Sequence, residues 1–442
     1  MQKNLRRLLI TKNIFETESL LHCQPYDIAQ ELKKFSFKEQ IILLDSFPVK
    51  KSAKILKYIG LKEKYKILYS LPEEKAKIIL NSQPVDDLVD LFFTVRLKQD
   101  EQLMKYLNNN LQEKILELMQ FKPGTAGSLV TTEYLSAREG WLVREALEHI
   151  RQYAIDVESI SYIYVLDNNE QLKGIISIRE LLLANDNDTL SKIMIQDVIA
   201  VHAEIDQYEV AKKLTNYNLS ALPVITTNNV MIGIVTFDDA MDIIEDEATE
   251  DIQKLGGSKP LNQPYFEASI WSIFYKRIPW LLLLFVAEAY TGTVLKVFED
   301  QIEAVVALAF FIPLLVGTGG NTGTQVVATI IRAVGVGEVA FKDIFRVIKK
   351  EVLIGILLGV SLGIAGLIRA HLLGVGTEVA LVVAITMIFI VIWSSIVAAA
   401  LPLFLRKLKL DPAVVSGPFI TTFVDGTGLV IYFMIAKMLL NI

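Results

Sequence analysis

DPAVVSGPFITTFVDGTGLVIYF, residues 411–433, is long and apolar enough to cross a bilayer, yet it carries an aspartate near its middle. A spanning helix needs about 20 residues, and an acid at mid-bilayer costs roughly 3 kcal/mol on insertion scales. Asp425 is flanked by Thr421, Thr422, Gly426, Thr427 and Gly428. Small residues let backbones approach closely and leave room for water. One reading of Asp425 is a structural carboxylate paired with a buried cation, but no Lys or Arg lies in the apolar spans at comparable depth. An unpaired carboxylate among hydroxyls asks instead for a cation that passes. Asp411 marks the cytoplasmic mouth of the same segment.

Outward from this stretch, five segments reach spanning length, near 278–298, 303–333, 351–373, 379–405 and 413–440. The second and fifth are long enough to be tilted or interrupted. Basic residues cluster in three connections: Lys276 and Arg277; Arg332, Lys342, Arg346, Lys349 and Lys350; and Arg406, Lys407 and Lys409. All three fall on one side of a five-span path, which the positive-inside rule makes cytoplasmic and which puts the C-terminus outside. The second span contains PLLVGTGGNTGTQ, residues 313–325. So polar and glycine-rich a stretch does not suit lipid; it suits a cavity wall or a close helix contact, and irregular backbone is tolerated there. Asn321, Thr324, Gln325, Gly417, Thr421 and Thr422 are the candidate lining of the path. Glu288, in the first span, either joins that lining or sits protonated against Asn or Thr groups.

Oxygen-only ligands suit hard ions such as Mg2+, Ca2+ or Mn2+. Mg2+ dehydrates reluctantly, keeps several waters and needs only one or two carboxylates, so one aspartate in a wide polar path fits it best. Passive inward flow needs no fuel, since two charges crossing about 100 mV gain roughly 4–5 kcal/mol. The alternative is a secondary-active divalent-cation transporter coupled to Na+ or H+, with Glu288 as the coupling site.

The first 270 residues are rich in charge. Within them, YIYVLDNNEQLKGIISIRELLLA from Tyr162 and LPVITTNNVMIGIVTFDDAMDII from Leu222 repeat one pattern: strand, polar turn, a strand after Gly174 or Gly233, then a helix, with a further helix upstream of each copy. This resembles a tandem pair of cystathionine-β-synthase-type (CBS) domains, a ligand-sensing module. In that family an Asp following a Ser or Thr meets the ribose of an adenine nucleotide. Thr236 and Asp239 fit that spacing, whereas the first copy has Ser177 and Glu180. The resemblance therefore implies ATP as a possible ligand.

From Thr236 the chain continues TFDDAMDIIEDEATEDIQKL, dense in acid. Asp239 with Asp242, and Glu247 with Glu250 and Asp251, are three or four apart and share helix faces, where like charges repel unless cations bridge them. A solvated acidic helix is the commoner meaning; the place between a sensor and the first span favours a gate. Residues 1–125 alternate short amphipathic patterns with breakers at Pro48, Pro72 and Pro84 and read as a compact helical superhelix. Asp86 and Asp90 there are four apart, on one face, and either join a metal site or are solvated.

Composition closes off other classes. The net charge of −6 carries no nucleic-acid footprint, and a single cysteine, Cys23, excludes disulfide frameworks and thiolate metal sites. His22, His149, His202 and His371 have no zinc-site spacing, and HExxH is absent, so a membrane protease is set aside. A chloride channel would carry its CBS domains after the membrane part. A non-conducting scaffold has no use for Asp425. The basic N-terminus lacks a signal peptide's apolar core, so the charged half is expected in the cytoplasm.

In order of parts and in GTGGNTGTQ, DPAVVSGPFITTFVDGTGLVIYF and ATEDIQKLG (residues 248–256), the whole chain resembles the MgtE family of magnesium channels. The resemblance implies a multi-domain fold: an all-α superhelical N domain (1–125), an α/β tandem CBS pair (126–244), an acidic connecting or plug helix (245–270) and an all-α membrane domain of five spans (271–442). It implies no enzyme, but a homodimer in the bacterial inner membrane, in contact with lipid. Mg2+ would be both substrate and regulatory ligand, with Asp425 as selectivity ligand and Asp411 at the inner mouth. Asp86, Asp90, Asp239, Asp242, Glu247, Glu250 and Asp251 match the family's acidic sensor positions. Lys54, Tyr208 and Asn218 stand where acids are expected, which implies fewer bound ions and weaker closure by Mg2+.

Overall fold

The computed structural model describes residues 1–11, 14–95, 101–154, 157, 159–261, 263–266, 268–414 and 416–442. The chain forms two compact units, Met1–Glu245 and Asp246–Ile442.

The first unit begins with a run of short helices, α1 (Gln2–Thr11) to α10 (Asn109–Leu118). Pro48 and Pro72 cap the N-termini of α5 (Val49–Leu56) and α7 (Glu73–Leu80), and Pro84 directly precedes α8 (Val85–Val95). Each breaker thus starts a helix, where a missing N–H and a fixed φ cost nothing. The core repeats. Leu43 and Leu44, Ile55 and Leu56, Ile67 and Leu68, Ile79 and Leu80, and Leu91 and Phe92 are all buried. Each pair lies twelve residues after the last (43, 55, 67, 79, 91), so one helix and one turn form the unit of a small solenoid in which each repeat buries its apolar face on its neighbours.

Two three-stranded sheets follow, β1–β2–β3 (Tyr134–Arg138, Ser159–Leu166, Leu172–Ser177) and β4–β5–β6 (Val201–His202, Ala221–Ile225, Met231–Thr236). In each the first pair is parallel and the second antiparallel. The sequence pattern captures the antiparallel hairpins but not β1 and β4, and it starts the second hairpin strand too late. Gly174 and Gly233 lie inside β3 and β6, opposite Val165 and Val224. The hairpin ends of the two copies meet, with Leu172 N donating to Asn229 O (3.0 Å) and Met231 N to Glu170 O (3.0 Å). The sheets are joined to the helices α11 (Val143–Tyr153), α12 (Ile178–Leu183), α13 (Leu190–Ile193) and α14 (Gln207–Asn216). Helix α15 (Phe237–Leu255) leaves β6 and ends in the second unit.

In the second unit five helices are long and apolar enough to cross a membrane. They are α16 (Ile270–Val297), α18 (Ile312–Gly335), α19 (Ile344–Leu372), α20 (Thr377–Lys407) and α21 (Gly417–Leu440), with α17 (Glu299–Ala304) and a 3-10 turn (Val306–Phe311) before α18. The glycine-rich 313–325 stretch is regular helix from Ile312 onward, with Pro313 in its first turn; the irregular backbone lies before it. Helix α20 is central, packed by α18, α19 and α21, and α16 packs on α21. Small residues set these distances. A Cβ on Gly359 of α19 would stand 2.9 Å from Ile388 Cα, and one on Gly363 2.9 Å from Ala384 O, so α19 and α20 touch backbone to backbone.

A buried aspartate, a polar helix face and an acidic helix end

Helix α21 starts at a tight junction. Ser416 caps it, its Oγ accepting from Phe419 N (3.3 Å) and from Trp280 Nε1 (3.1 Å), and Pro418 occupies the first turn. Its next turns lie against the glycines of α18. A Cβ on Gly319 would meet Val424 (2.8 Å), one on Gly320 Thr421 (2.7 Å), and one on Gly323 Ile420 (2.5 Å) and Ser394 (2.7 Å). Ser394 Oγ donates to Gly319 O (2.7 Å), tying α20 into the same contact. The glycines therefore act in packing, one of the two readings their sequence allowed.

An adjoining face of α18 is polar. Asn321, Thr324 and Gln325 are exposed, and Thr324 Oγ1 lies 3.4 Å from Thr421 Oγ1 of α21. Thr421 and Thr422 are half-buried, and Gly417 is buried against Thr324. Asp425 follows one turn later. Its side chain is 7% exposed, and Oδ1 is buried without a hydrogen-bond partner among the described residues. No Lys or Arg forms an ion pair with it among the described residues. Glu288, exposed on α16, is the neighbouring acid whose charge acts on it. Gly426 allows this approach of α16, since a Cβ there would stand 2.5 Å from the Tyr290 ring. An orphaned carboxylate oxygen at mid-helix is costly unless something cationic or hydrated reaches it.

The remaining acids fall into two separate neighbourhoods. In the first unit Asp90 of α8 and Asp239 of α15 act on each other. Asp90 keeps over a third of its surface open, yet the protein crowding it, with Asp87 and Asp239, pushes its carboxyl up to about 6. Burial also raises Asp239 and Asp242, against the pull of Lys57. Lys64, 1% exposed, stands 3.9 Å from Asp87, and burial lowers its pKa against the nearby Asp87 and Asp86. Sequence reasoning missed Lys57 and Lys64 as neighbours of these acids. Lys54, by contrast, is exposed, as is Asn218, which adopts a left-handed φ of 53°; Tyr208 lies under Lys212, whose Nζ is 4.4 Å from its ring centre.

Thr236 and Asp239 form a helix cap. Thr236 Oγ1 lies 2.6 Å from Asp239 Oδ2 and 2.5 Å from Asp238 Oδ1. In the first copy the box is complete, with Ser177 N donating to Glu180 Oε2 (2.9 Å) and Glu180 N to Ser177 Oγ (3.2 Å), whereas at Thr236 the backbone N and the hydroxyl both donate to Asp239. The spacing read as nucleotide recognition is thus also the S/T-x-x-D/E capping arrangement.

In the second unit burial, then the charge of Asp411, raises Asp251. Lys254, which sequence reasoning passed over, sits between Glu250 (2.5 Å) and Asp411 (2.6 Å). The Glu250–Lys254 half is a legible i,i+4 pair; the Asp411 half is not. Glu247 lies in the same unit, one turn before Glu250. Among the described residues no three His, Cys, Asp or Glu side chains converge as a ligand cluster within this one chain.

Known proteins add to this geometry. The family model for the MgtE intracellular N domain matches residues 23–124, the CBS-domain model matches 126–186 and 190–246, and the MgtE divalent cation transporter model matches 312–435. A protein named magnesium transporter MgtE from Thermus thermophilus is 37% identical, over 96% of this chain and 95% of its own. One of the same name from Bacillus subtilis is 32% identical, over 93% and 91%. A crystal structure of the cytosolic domain of the Mg2+ channel MgtE in complex with ATP matches with a TM-score of 0.53 at 31% identity, covering 55% of this chain and 100% of that one. A five-span chain with an intracellular N domain, a CBS pair and matches of this length belongs to the MgtE family of divalent-cation transporters, a family of magnesium transporters and not of enzymes.

Proposed function

We propose that the chain is a Mg2+ channel of the bacterial inner membrane, working as a homodimer, in which Asp425 binds the passing ion through its water shell. The observation that carries this reading is the Asp425 carboxylate, whose Oδ1 is buried in α21 without a hydrogen-bond partner among the described residues. The exposed Asn321, Thr324 and Gln325 support a dimer, because a polar face on a spanning helix needs water or a second protein surface rather than lipid. The basic connections support an internal N-terminal half and an external C-terminus. Glu288 would stand at the edge of the path beside Asp425.

The gate in this reading is the acidic helix end with the sensor acids. Asp86, Asp90, Asp239 and Asp242 on one unit, and Glu247, Glu250, Asp251 and Asp411 on the other, would take regulatory Mg2+, with domain divisions after residues 125, 244 and 270. Lys54, Tyr208 and Asn218 in place of acids reduce the number of ions held. ATP is a candidate second ligand at Thr236 and Asp239, supported by the ATP complex of the similar cytosolic domain.

The test is Mg2+ flux into liposomes holding purified protein, native against Asp425→Asn, at low and high Mg2+ on the cytoplasmic face. Loss of flux in a folded variant is expected. Undiminished flux would remove Asp425 from the path, and flux that requires a Na+ or H+ gradient would replace the channel with a coupled transporter.

A further inference from the structure

The end of α15 is fastened to the start of α21 by more than apolar contact. Lys254 Nζ lies 2.5 Å from Glu250 Oε1, one turn back in its own helix, and 2.6 Å from Asp411 Oδ2. Asp411 is itself held, because its Oδ1 accepts from Ala413 N at 2.9 Å. The helix end is fixed too. Gly257 adopts a left-handed φ of 74°, Ser258 N donates to Gln253 O (3.0 Å), and Leu261 N donates to Gln253 Oε1 (2.7 Å). A Cβ on Gly257 would stand 2.6 Å from the Trp280 ring, whose Nε1 donates to Ser416, the cap of α21. A lysine side chain within hydrogen-bond reach of two carboxylates is an ammonium that donates to both.

We propose that Lys254 is a tethered cation that holds the connecting helix on the inner mouth when Mg2+ is scarce, its ammonium joining Glu250 to Asp411 as a bound divalent ion would. This rests on the channel reading above and adds a latch to it. Two carboxylates brought together at a helix end repel; one ammonium within hydrogen-bond reach of both turns that repulsion into attraction and needs no ion from solution. Closure then has two parts. Lys254 sets a basal hold, and Mg2+ at the sensor acids adds to it. A monovalent latch is weaker than a bridging Mg2+, so it slows the open channel without shutting it.

The experiment uses the full chain in liposomes and compares native protein with Lys254→Gln, which removes the charge but keeps a polar side chain one methylene shorter, and Lys254→Arg, which keeps the charge. At micromolar Mg2+ on the cytoplasmic face, Lys254→Gln is expected to raise flux about two- to fivefold, the factor by which losing a well-placed ion pair shifts a two-state equilibrium. Lys254→Arg is expected to keep native flux, and millimolar Mg2+ should suppress all three. Hydrogen exchange across residues 250–257 gives a second readout, with faster exchange in Lys254→Gln only. Native or reduced flux together with native exchange in Lys254→Gln overturns the latch, as does an equal rise in Lys254→Arg. Native protein that carries no Mg2+ refutes the channel reading instead, and the exchange measurement then still decides whether Lys254 holds the helix.

Discussion

Replacing Gly323 by alanine tests whether the glycine-rich stretch of α18 is a packing surface. A Cβ there would fall 2.5 Å from Ile420 Cγ2 and 2.7 Å from Ser394 Oγ. Neither neighbour can give way easily. Ile420 is fully buried, and Ser394 Oγ is pinned by its 2.7 Å bond to Gly319 O. Overpacking of this kind costs about 1–3 kcal/mol, and two fixed neighbours place it in the upper half of that range. Alanine returns about 1 kcal/mol of helix propensity, leaving a net loss of about 1–2 kcal/mol. For a unit of this size that is a fall of about 2–8 °C in the unfolding midpoint. Gly317, in the same helix, has nothing within 4 Å of its ideal Cβ, so Gly317→Ala should hold or raise the midpoint. The assay is thermal unfolding of the purified protein in detergent at one fixed scan rate, since membrane proteins often unfold irreversibly. A Gly323→Ala protein that melts at or above the native midpoint refutes the packing argument. Equal losses in both variants would refute the division of α18 into a packed face and an open one.

Three further outcomes follow from the cytosolic unit. Asp90, raised to about 6 in the fold against about 3.9 unfolded, binds its proton more tightly when folded, so its ionisation costs stability as pH rises through that window. Asp90→Asn should therefore stabilise metal-free protein at pH 7, by about 1 kcal/mol or less because the group is partly screened by solvent, and should do nothing at pH 4. Melting in chelator at the two pH values checks it, and added Mg2+ should reverse the advantage if Asp90 is a ligand. Ser177→Ala removes a helix cap, Thr236→Ala removes the hydroxyl that donates to Asp238 and Asp239 at the start of α15, and each should cost about 1 kcal/mol. A Thr236→Ala protein that keeps its native stability but loses ATP binding in a titration would assign that hydroxyl to the nucleotide instead of the cap.

Much of the molecule was legible in its order of residues. Five apolar runs marked the spans, and basic residues in alternate connections set an expected direction, because insertion depends on local hydrophobicity and on the charge of short flanking loops. The CBS hairpins were visible as a repeat, though β1 and β4 were not. β4, at two residues, is too short to show a period, β1 alternates over only five residues outside the repeated hairpin pattern, and both strands pair with neighbours in that pattern, β5 and β2. The twelve-residue recurrence of buried pairs in α4 (Phe37–Ser46) to α8 is also written in the sequence, with Pro48, Pro72 and Pro84 falling at its turns.

What tertiary structure alone decided is who stands beside each charge. Sequence placed Asp425 at mid-span, but only helix packing leaves its Oδ1 without a hydrogen-bond partner among the described residues and brings Glu288 near. Sequence allowed the α18 glycines both to pack closely and to border the path, and the ångström-scale approach of Ile420, Thr421 and Val424 shows the packing at Gly319, Gly320 and Gly323. Local pattern gave half of the Lys254 bridge, the turn to Glu250; the other half, to Asp411, joins residues 157 apart in the chain. Periodicity reports which face of an element is buried, whereas a charge's partner depends on distances between elements, and no local pattern encodes those.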